Sequence, residues 1–240
     1  QSAINMAESE ILLSTLISLN PAPARIDVGK IIAKFRSSET TLEAFVATEL
    51  ADISNGKSAL LDEPRDVVLY GFGRIGRLVA RILVNRVGGG DKARLRAIVV
   101  RPKGGKDLVK RASLLRRDSV HGKFNGSITL DEENNALIVN GNHIQLLYSK
   151  APEEMDYTAY GINNALVIDN TGIWRDREGL GRHLKAKGVS KVLLTAPGKG
   201  DIPNIVYGVN HAEATPEETI FSAASCTTNA IVPPLKALDE

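Results

Sequence analysis

The chain has almost no cysteine and no long apolar run, and each shortage excludes a class of protein. Cys226 is the single cysteine among 240 residues, so a fold stapled by internal disulfides is excluded. No stretch approaches the roughly 18 consecutive apolar residues of a membrane-spanning helix. Acidic Glu8 and Glu10 stand where a secretory signal would be basic. We therefore expect a cytoplasmic protein with no membrane partner.

An excess of either charge is also lacking. The 30 basic and 28 acidic residues leave a formal net charge of +2, so the overall charge names no partner. A hydrophobic content of 43% is ordinary for a globular chain, and the length permits a core large enough for an enzyme. The chain opens on Gln1 and stops at Glu240 within a predicted helix, and we expect both ends to be cuts.

Residues 1–63 have apolar residues at helical spacing but contain no motif that we can attach to a reaction. The pattern has three successive groups, which are Ile11, Leu12, Leu16, Ile17 and Leu19, then Val28, Ile31, Ile32 and Phe35, then Leu42, Phe45, Val46 and Leu50. It predicts a small helical extension. An interaction or regulatory module is the alternative.

After Glu63-Pro64 the pattern changes to short β-rich runs separated by helices, which is typical of a parallel sheet with crossovers. Turn residues at 133–135 and 140–142 predict inserted antiparallel hairpins over 126–148, and a helix is expected around 177–187. Glycines 88–90 separate the helix that follows the first of these strands from the second strand. The remaining predicted strands are 67–70, 95–100, 165–168, 191–195, 205–209 and 219–222.

Gly-Phe-Gly-Arg-Ile-Gly at 71–76 follows a strand and opens a helix, as the dinucleotide fingerprint does. In that motif, glycines allow a tight turn and let the backbone approach a pyrophosphate at the helix start. The motif predicts NAD or NADP binding. A glycine-rich turn that only packs a helix on a strand is the alternative.

The second strand ends without the acidic residue that usually accepts the ribose hydroxyls. Arg101 follows Val100 there, and the run to Arg117 holds seven basic side chains against one acidic. Because an arginine at this strand end suits a ribose 2′-phosphate, we expect NADP to be accepted, with NAD still possible. A solvated basic helix face is the alternative for the run as a whole.

Cys226 lies directly after an apolar strand and at the start of a predicted helix. A helix amino terminus stabilises a thiolate, the nucleophilic form of cysteine, through its partial positive charge and free N–H groups. The position predicts a catalytic nucleophile. An inert core cysteine is the alternative.

Six blocks over residues 66–240 resemble motifs of the phosphorylating glyceraldehyde-3-phosphate dehydrogenase family. The blocks occur in the same order as in that family and at approximately the same spacing. They are Tyr-Gly-Phe-Gly-Arg-Ile-Gly-Arg (70–77), Asp-Ser-Val-His-Gly (118–122), Asn-Thr-Gly (170–172), Thr-Ala-Pro (195–197), Gly-Val-Asn-His (208–211) and Ala-Ser-Cys-Thr-Thr-Asn (224–229).

The resemblance implies a covalent mechanism for oxidation of glyceraldehyde 3-phosphate. Cys226 would attack the aldehyde, hydride would pass to the nicotinamide, and inorganic phosphate would release the acyl group from the thioester. Ser225 and Thr227 match residues that help to hold a phosphate, and the Cys226 N–H would be an oxyanion donor. The positions that match cofactor-binding residues are Gly71, Gly73, Arg74, Ile75, Gly76, Thr171, Gly172 and Thr195.

The chain also departs from the family pattern. Ala230 replaces a common second cysteine, and the family's catalytic histidine would lie beyond residue 240. His121, His143, His183 and His211 are therefore assigned structural or surface roles, and we expect the 240-residue chain to bind dinucleotide but to turn over triose phosphate poorly. Erythrose-4-phosphate dehydrogenase and a non-catalytic nucleotide- or nucleic-acid-binding protein are the alternatives.

The expected fold is α/β, with a doubly wound (Rossmann) dinucleotide-binding domain that carries inserted β-hairpins. The predicted domains are a helical extension at 1–63, the Rossmann domain at 64–225 and the start of a truncated catalytic domain at 226–240. The resemblance implies a homotetramer for the complete protein. No metal site and no nucleic-acid partner are expected.

Overall fold

The structure is a computed structural model that describes residues 4–22, 24, 26–54, 65–86, 93–102 and 107–239. The predicted boundary at Glu63-Pro64, glycines 88–90 and part of the basic run, 103–106, lie outside the described residues. Contacts between Cα atoms divide the chain into two units, Gln1–Arg65 with Ile82–Arg94 and Asp66–Arg81 with Leu95–Glu240. The predicted domain bounds stay predictions.

The first unit contains the three predicted helices of the extension, α1 (Met6–Leu19), α2 (Val28–Phe35) and α3 (Leu42–Glu49). Each begins at a side chain that caps its first turn, because an N-cap oxygen accepts an N–H group that has no partner within the helix. The caps are Asn5, Asp27 and Thr41. The helices pack on one apolar cluster of Leu12, Ile31, Ile32, Leu42, Val46, Leu50 and Ile53.

The rest of the chain alternates strands and helices as the sequence predicts. The strands are β1 (Arg65–Tyr70), β2 (Ala93–Val100), β3 (Arg117–Asp118), β4 (Gly122–Lys123), β5 (Ile128–Asp131), β6 (Ala136–Val139), β7 (Asn142–Tyr148), β8 (Ala165–Asp169), β9 (Val189–Leu194) and β10 (Ile220–Ser222). The helices are α4 (Arg74–Arg86), α5 (Asp107–Arg116), α6 (Arg177–Leu184) and α7 (Cys226–Asp239), with short 3₁₀ turns at Pro152–Glu154, Thr158–Tyr160 and His211–Glu213.

Eight strands form one sheet in the order β10-β9-β8-β1-β2-β7-β6-β5. The pairs β10–β9, β9–β8, β8–β1 and β2–β7 are parallel, whereas β7–β6 and β6–β5 are antiparallel. This order confirms the predicted doubly wound α/β fold with inserted hairpins. The hairpin turns use left-handed backbone at Asn135, Asn140 and Gly141.

The sheet is buried on both faces, which explains why its strands read as continuous apolar runs. Val67, Val68 and Leu69 in β1 are at most 1% exposed. Val99, Val167 and Tyr157 belong to one cluster. Val192 of β9 is the register partner of Val167, so it lies on the same face, where it packs in a second cluster with Leu180 of α6.

The strand predicted at 205–209 is wrong. This segment forms a turn, in which Gly208 adopts a φ of +84° that a strand does not use. The Asn210 side chain accepts a hydrogen bond from the Val206 N–H, and His211 Nδ1 accepts one from the Gly208 N–H. Side chains therefore satisfy backbone groups that a strand would have paired with a neighbour.

Arg177 at the start of α6 forms an ion pair with Glu218, which lies just before β10, and this pair weakens at acidic pH. Its Nη2 lies 3.0 Å from Glu218 Oε2, and this pairing, with the Ile220 N–H, lowers the pKa of Glu218 to about 2 from the ordinary 4.5. A carboxyl whose folded pKa is depressed stabilises the fold above its unfolded pKa. The contribution is therefore lost as the pH falls from 4.5 toward 2.

Arg177→Gln should flatten this part of the pH dependence. We expect the variant to lose about 1 kcal/mol of unfolding free energy at neutral pH, because the pair is partly exposed, and to lose less near pH 3. Urea unfolding at the two pH values measures the difference. Lys199→Gln removes an exposed positive charge from a neighbouring loop and is the matched control. An equal destabilisation of Arg177→Gln at both pH values would contradict the assignment.

Candidate functional site

Five predicted site residues follow the carboxyl ends of parallel strands. Gly71 follows β1, Arg101 follows β2, Thr171 follows β8, Thr195 follows β9, and Cys226 comes after β10. Because these strands are parallel, their carboxyl ends share one edge of the sheet. The crossover direction reverses between β1 and β8, and ligands of open α/β sheets bind at such a switch point.

The turn after β1 has the backbone geometry that the fingerprint requires. Gly71 has a φ of +91°, and its N–H donates to the Val99 carbonyl at 2.9 Å. A Cβ on Gly76 would lie 2.4 Å from the Gly71 carbonyl oxygen, so this glycine permits close packing of α4 on the turn. A Cβ on Gly73 would meet nothing within 4 Å. Gly73 therefore faces open space.

A cavity of about 340 Å³ opens beside this turn, within the size range of small-molecule sites. Apolar residues of β1 and β2 form part of its wall, and basic residues form another part. Its lining comprises Tyr70, Gly71, Phe72, Gly73, Arg77, Val99, Val100, Arg101, Lys110, Arg111, Leu114, Thr171 and Ile173. The combination suits a ligand that has both rings and phosphates.

The basic part of the wall contains one paired side chain and three that have no partner among the described residues. Arg111 is paired with Asp107 at 3.1 Å. By contrast, no hydrogen bond or ion pair joins the side chains of Arg77, Arg101 or Lys110 to another residue in the described part of the chain. An anion at the end of β2 would therefore meet three available cations.

Arg74 and Ile75 begin α4, where the first N–H groups of a helix lack intrahelical partners. The Arg74 side chain reaches Asp118 instead of the cavity, with Nη2 3.4 Å from the carboxylate. The N–H groups of His121 and Val120 and the His121 ring hold the pKa of Asp118 far below its usual range. The backbone of Arg74 and Ile75, and not their side chains, is therefore available to a phosphate.

Thr171 and Thr195 are both bound to Asp169, the last residue of β8. Asp169 Oδ1 accepts from the Thr171 N–H and from the Thr171 hydroxyl, each at 2.7 Å. The Thr195 hydroxyl and N–H donate to the Asp169 carbonyl at 3.1 and 3.0 Å. Gly172, which follows, has a φ of +64°. Asp169 thus fixes the two strand ends beside the turn.

The structure places His183 against Asp169, a partnership that helical spacing did not reveal. His183 Nε2 lies 2.9 Å from Asp169 Oδ2, and both side chains are at most 1% exposed. Tyr70 packs its ring edge-on to the imidazole, and burial, with the nearby Asp169 charge, raises the pKa of Tyr70 to about 12. Tyr70 therefore remains a neutral phenol at physiological pH.

The segment from β10 to Cys226 is held by short hydrogen bonds. The Ala223 N–H donates to the Leu194 carbonyl of β9, and the buried Ser222 hydroxyl donates to the Ala196 carbonyl. Ala224 then adopts a left-handed φ of +58°, which turns the chain from strand to helix. Cys226 is the first residue of α7, as predicted, and it is exposed.

Ser225 caps the helix that begins at Cys226. Its Oγ accepts from the Thr228 N–H at 2.9 Å and lies 2.7 Å from the Thr228 hydroxyl, while its carbonyl accepts from the Asn229 N–H. Within the described residues the N–H groups of Cys226 and Thr227 form no hydrogen bond. The helix start therefore offers two N–H donors next to an exposed thiol.

The predicted site residues fall into two groups along the edge of the sheet. Four of them line the cavity, namely Gly71, Gly73, Arg101 and Thr171. The rest of the first group does not line it: Arg74, Ile75 and Gly76 begin α4, Gly172 follows β8 and Thr195 follows β9. The second group, Ser225, Cys226 and Thr227, follows β10 at the end of the sheet. The sequence analysis did not single out Arg77, Lys110 or Arg111, although the last two belong to the basic run that it noted.

The other three histidines satisfy local backbone or carboxylate groups. His121 contacts Asp118, His143 lies 3.4 Å from Asp131, and His211 caps the turn at Gly208. Across the described ranges, no group of three or more His, Cys, Asp or Glu side chains could hold a metal ion. No described helix combines the length and apolar character needed to cross a membrane.

Comparisons with known proteins show which family the chain is similar to. The family model described as glyceraldehyde 3-phosphate dehydrogenase, NAD binding domain, matches residues 65–177. This range contains the fingerprint turn, the basic wall and Thr171.

Curated relatives match over different lengths of the chain. A glyceraldehyde-3-phosphate dehydrogenase-like protein of Pseudomonas aeruginosa is 56% identical over 239 residues, which are 99% of this chain and 52% of the relative. The chloroplastic glyceraldehyde-3-phosphate dehydrogenase A of Zea mays is 44% identical over 72% of this chain and 41% of the relative. The glyceraldehyde-3-phosphate dehydrogenase of Thermotoga maritima is 41% identical over 72% of this chain and 49% of the relative. The chain spans about half the length of these relatives.

Proposed function

Because the chain belongs to the glyceraldehyde-3-phosphate dehydrogenase family and corresponds to its amino-terminal portion, we propose that the whole protein converts glyceraldehyde 3-phosphate to 1,3-bisphosphoglycerate. The cofactor is NAD or NADP. The observation that carries the proposal is the exposed thiol of Cys226, which begins a helix at the same sheet edge as the fingerprint turn.

The geometry of the helix start suits acyl transfer. The Cys226 thiolate attacks the aldehyde carbon and forms a carbon–sulfur bond, while the aldehyde oxygen becomes an alkoxide beside the N–H groups of Cys226 and Thr227. Loss of hydride from that carbon leaves a thioester. A phosphate oxygen then attacks the thioester carbonyl, and the thiolate leaves. The Thr227 side chain, exposed beside Cys226, is the first candidate for holding that phosphate, because Ser225 already caps α7.

The dinucleotide fits the turn that the chain provides. Gly73 leaves open space over the backbone, Gly71 supplies the left-handed turn, and the start of α4 offers N–H groups to the pyrophosphate. When bound, the nicotinamide supplies the hydride acceptor. Thr171 forms part of the cavity wall at the end of β8, and Thr195 is hydrogen-bonded to the same Asp169 at the end of β9.

Formation of the covalent intermediate tests the proposed reaction. The whole protein is incubated with glyceraldehyde 3-phosphate and NAD or NADP, and intact-mass and peptide spectra locate any acyl group. We expect one adduct, on Cys226, together with one equivalent of reduced nicotinamide, and addition of phosphate should release it. Erythrose 4-phosphate in a parallel arm distinguishes the tetrose reaction. Dinucleotide binding without any adduct on Cys226 would contradict the chemistry.

We also propose that the site accepts NADP through Arg101. Arg101 directly follows β2, and it shares the cavity wall with Arg77 and Lys110, none of them neutralised by another described residue. Arg101→Gln should raise the Kd for NADP about tenfold, because a charge-assisted contact to phosphate is lost. The Kd for NAD should change less than about threefold. Calorimetric titration with both dinucleotides measures the two constants.

Arg117→Gln is the matched control, since Arg117 is an exposed residue of the same basic run and does not line the cavity. It should leave both constants unchanged. Equal weakening of NAD and NADP by Arg101→Gln, or the same NADP loss in Arg117→Gln, would show a general effect of charge.

We place the whole protein in the cytoplasm as a homo-oligomer, a tetramer as in the family that it resembles. A thiol nucleophile requires a reducing compartment to stay unoxidised. Light scattering during size-exclusion chromatography gives the oligomeric state.

A further inference from the structure

We propose that the buried Asp169–His183 pair is a positioning device for Thr171, and through it for the wall of the dinucleotide cavity. The inference rests on the proposed binding of dinucleotide in this cavity. It assigns a role in ligand affinity to His183, a residue of α6 that does not itself line the cavity.

The first step is the orientation of the Asp169 carboxylate. A carboxylate only accepts hydrogen bonds, so the 2.9 Å contact requires His183 Nε2 to donate to Oδ2. His183 is enclosed by the rings of Tyr70 and Trp174, whose centroids lie 4.7 and 5.9 Å from its own. The two aromatic rings fix the position of the imidazole. The hydrogen bond from its Nε2 to Oδ2 therefore fixes the orientation of the Asp169 carboxylate.

The second step leads from Asp169 to Thr171. Oδ1 accepts from both the N–H and the hydroxyl of Thr171, and the hydroxyl oxygen in turn accepts from the Ile173 N–H at 3.2 Å. These bonds determine the side-chain rotamer of Thr171. In that rotamer its Cγ2 methyl lies against the fingerprint turn, 2.8 Å from where a Cβ on Gly71 would be. Thr171 therefore packs on the turn and lines the cavity at once.

The third step concerns why this position holds a polar pair. Burying a carboxylate and an imidazole costs desolvation energy, and apolar residues of similar volume often stabilise a fold as well or better. Leu180, one turn away on α6, is fully buried among Val192, Leu194, Ile202 and Ile220. This helix can therefore pack on the sheet through an apolar side chain. What the pair adds is a defined direction for Asp169, which a leucine would not provide.

Replacement of His183 tests the proposal in the 240-residue chain, with NADP and NAD as the probes. His183→Leu keeps most of the volume but removes the donor, and we expect the Kd for both dinucleotides to rise about tenfold. His183→Gln can place its amide nitrogen near the lost Nε2 and should stay within about threefold of the wild type. Calorimetry gives the constants, and thermal unfolding is recorded for every variant.

Leu180→Val is the matched control, because it trims a buried apolar residue of the same helix and touches no hydrogen bond of the pair. It should lower Tm without changing either Kd. Trp174, the single tryptophan of the chain, packs against His183 and gives a local fluorescence signal. Its emission should change in His183→Leu and return toward the wild type in His183→Gln.

A double-mutant cycle separates action through Thr171 from an independent effect. If His183 acts through Thr171, then His183→Leu combined with Thr171→Val should weaken binding little more than either change alone. Additive losses would contradict the proposal, as would wild-type affinity in His183→Leu. Loss of affinity in Leu180→Val in proportion to its Tm would reduce the effect to general stability and overturn it. Should His183→Leu fail to fold, His183→Gln and Asp169→Asn complete the comparison.

The outcomes also distinguish this inference from the function on which it rests. A wild-type chain that binds neither dinucleotide would sink the proposed site, and the positioning role with it. Binding by the wild type and by His183→Leu with equal affinity would sink the positioning role alone.

Discussion

Cys226→Ser should abolish acyl transfer while leaving dinucleotide binding intact. The serine oxygen fits the helix start, but a hydroxyl is a far weaker nucleophile than a thiolate and no described residue is hydrogen-bonded to it as a base. We expect the rate of dinucleotide reduction in the whole protein to fall more than about 10³-fold. The Kd for NADP should not change, because Cys226 lies outside the cavity.

Two controls separate loss of the nucleophile from disturbance of the helix. Ser225→Ala removes the cap that accepts the Thr228 N–H, so it should cost about 1 kcal/mol of stability but retain covalent chemistry. In the 240-residue chain, iodoacetamide should label the wild type once and Cys226→Ser not at all, since Cys226 is the single cysteine of that chain. Undiminished dinucleotide reduction by Cys226→Ser would remove the residue from the mechanism.

Local patterns in the sequence predicted those features that local chemistry determines. The fingerprint glycines give the same turn in any context, because Gly71 must adopt a positive φ and Gly76 must carry no Cβ. The hairpins follow from Asn135, Asn140 and Gly141 for the same reason. Cys226 could be placed at a helix start because an apolar strand directly precedes it, and the structure adds the Ser225 cap.

Features that depend on a distant partner could not be predicted in this way. The segment 205–209 has the composition of a strand, but the side chains of Asn210 and His211 satisfy its backbone groups and close a turn. His183 stands on a helix face whose spacing indicates only burial. Its partner Asp169 is 14 residues away, at the end of a strand, and that pairing is visible only in three dimensions.

The cations that line the cavity also could not be identified from the sequence alone. The basic run at 101–117 suggested an anion site, but composition cannot say which side chains face one another. The fold selects Arg101, Lys110 and Arg111 from the run and adds Arg77, which stands one residue beyond the fingerprint. Asp107, the single acid of the run, is used to pair with Arg111. Hence the predicted anion site is narrower than the run that suggested it.

The fingerprint glycines allow a test in which the same substitution should lower dinucleotide affinity at two positions but lower stability at only one of them. Gly76→Ala places a Cβ 2.4 Å from the backbone oxygen of Gly71, and backbone cannot move aside cheaply. We expect it to lose about 2–3 kcal/mol of unfolding free energy and more than about 100-fold in dinucleotide affinity. Urea unfolding and calorimetric titration measure the two losses.

Gly73→Ala has a different expected result, because its Cβ would meet no protein atom within 4 Å. Stability should change by less than about 0.5 kcal/mol, whereas affinity should fall about tenfold because the methyl occupies the space over which the pyrophosphate lies. Gly181→Ala, also with open space around its Cβ but on α6, is the control that should change neither affinity nor the site. Wild-type affinity in Gly73→Ala would mean that no phosphate approaches this turn. Wild-type stability in Gly76→Ala would mean that α4 does not pack on it as closely as the structure has it.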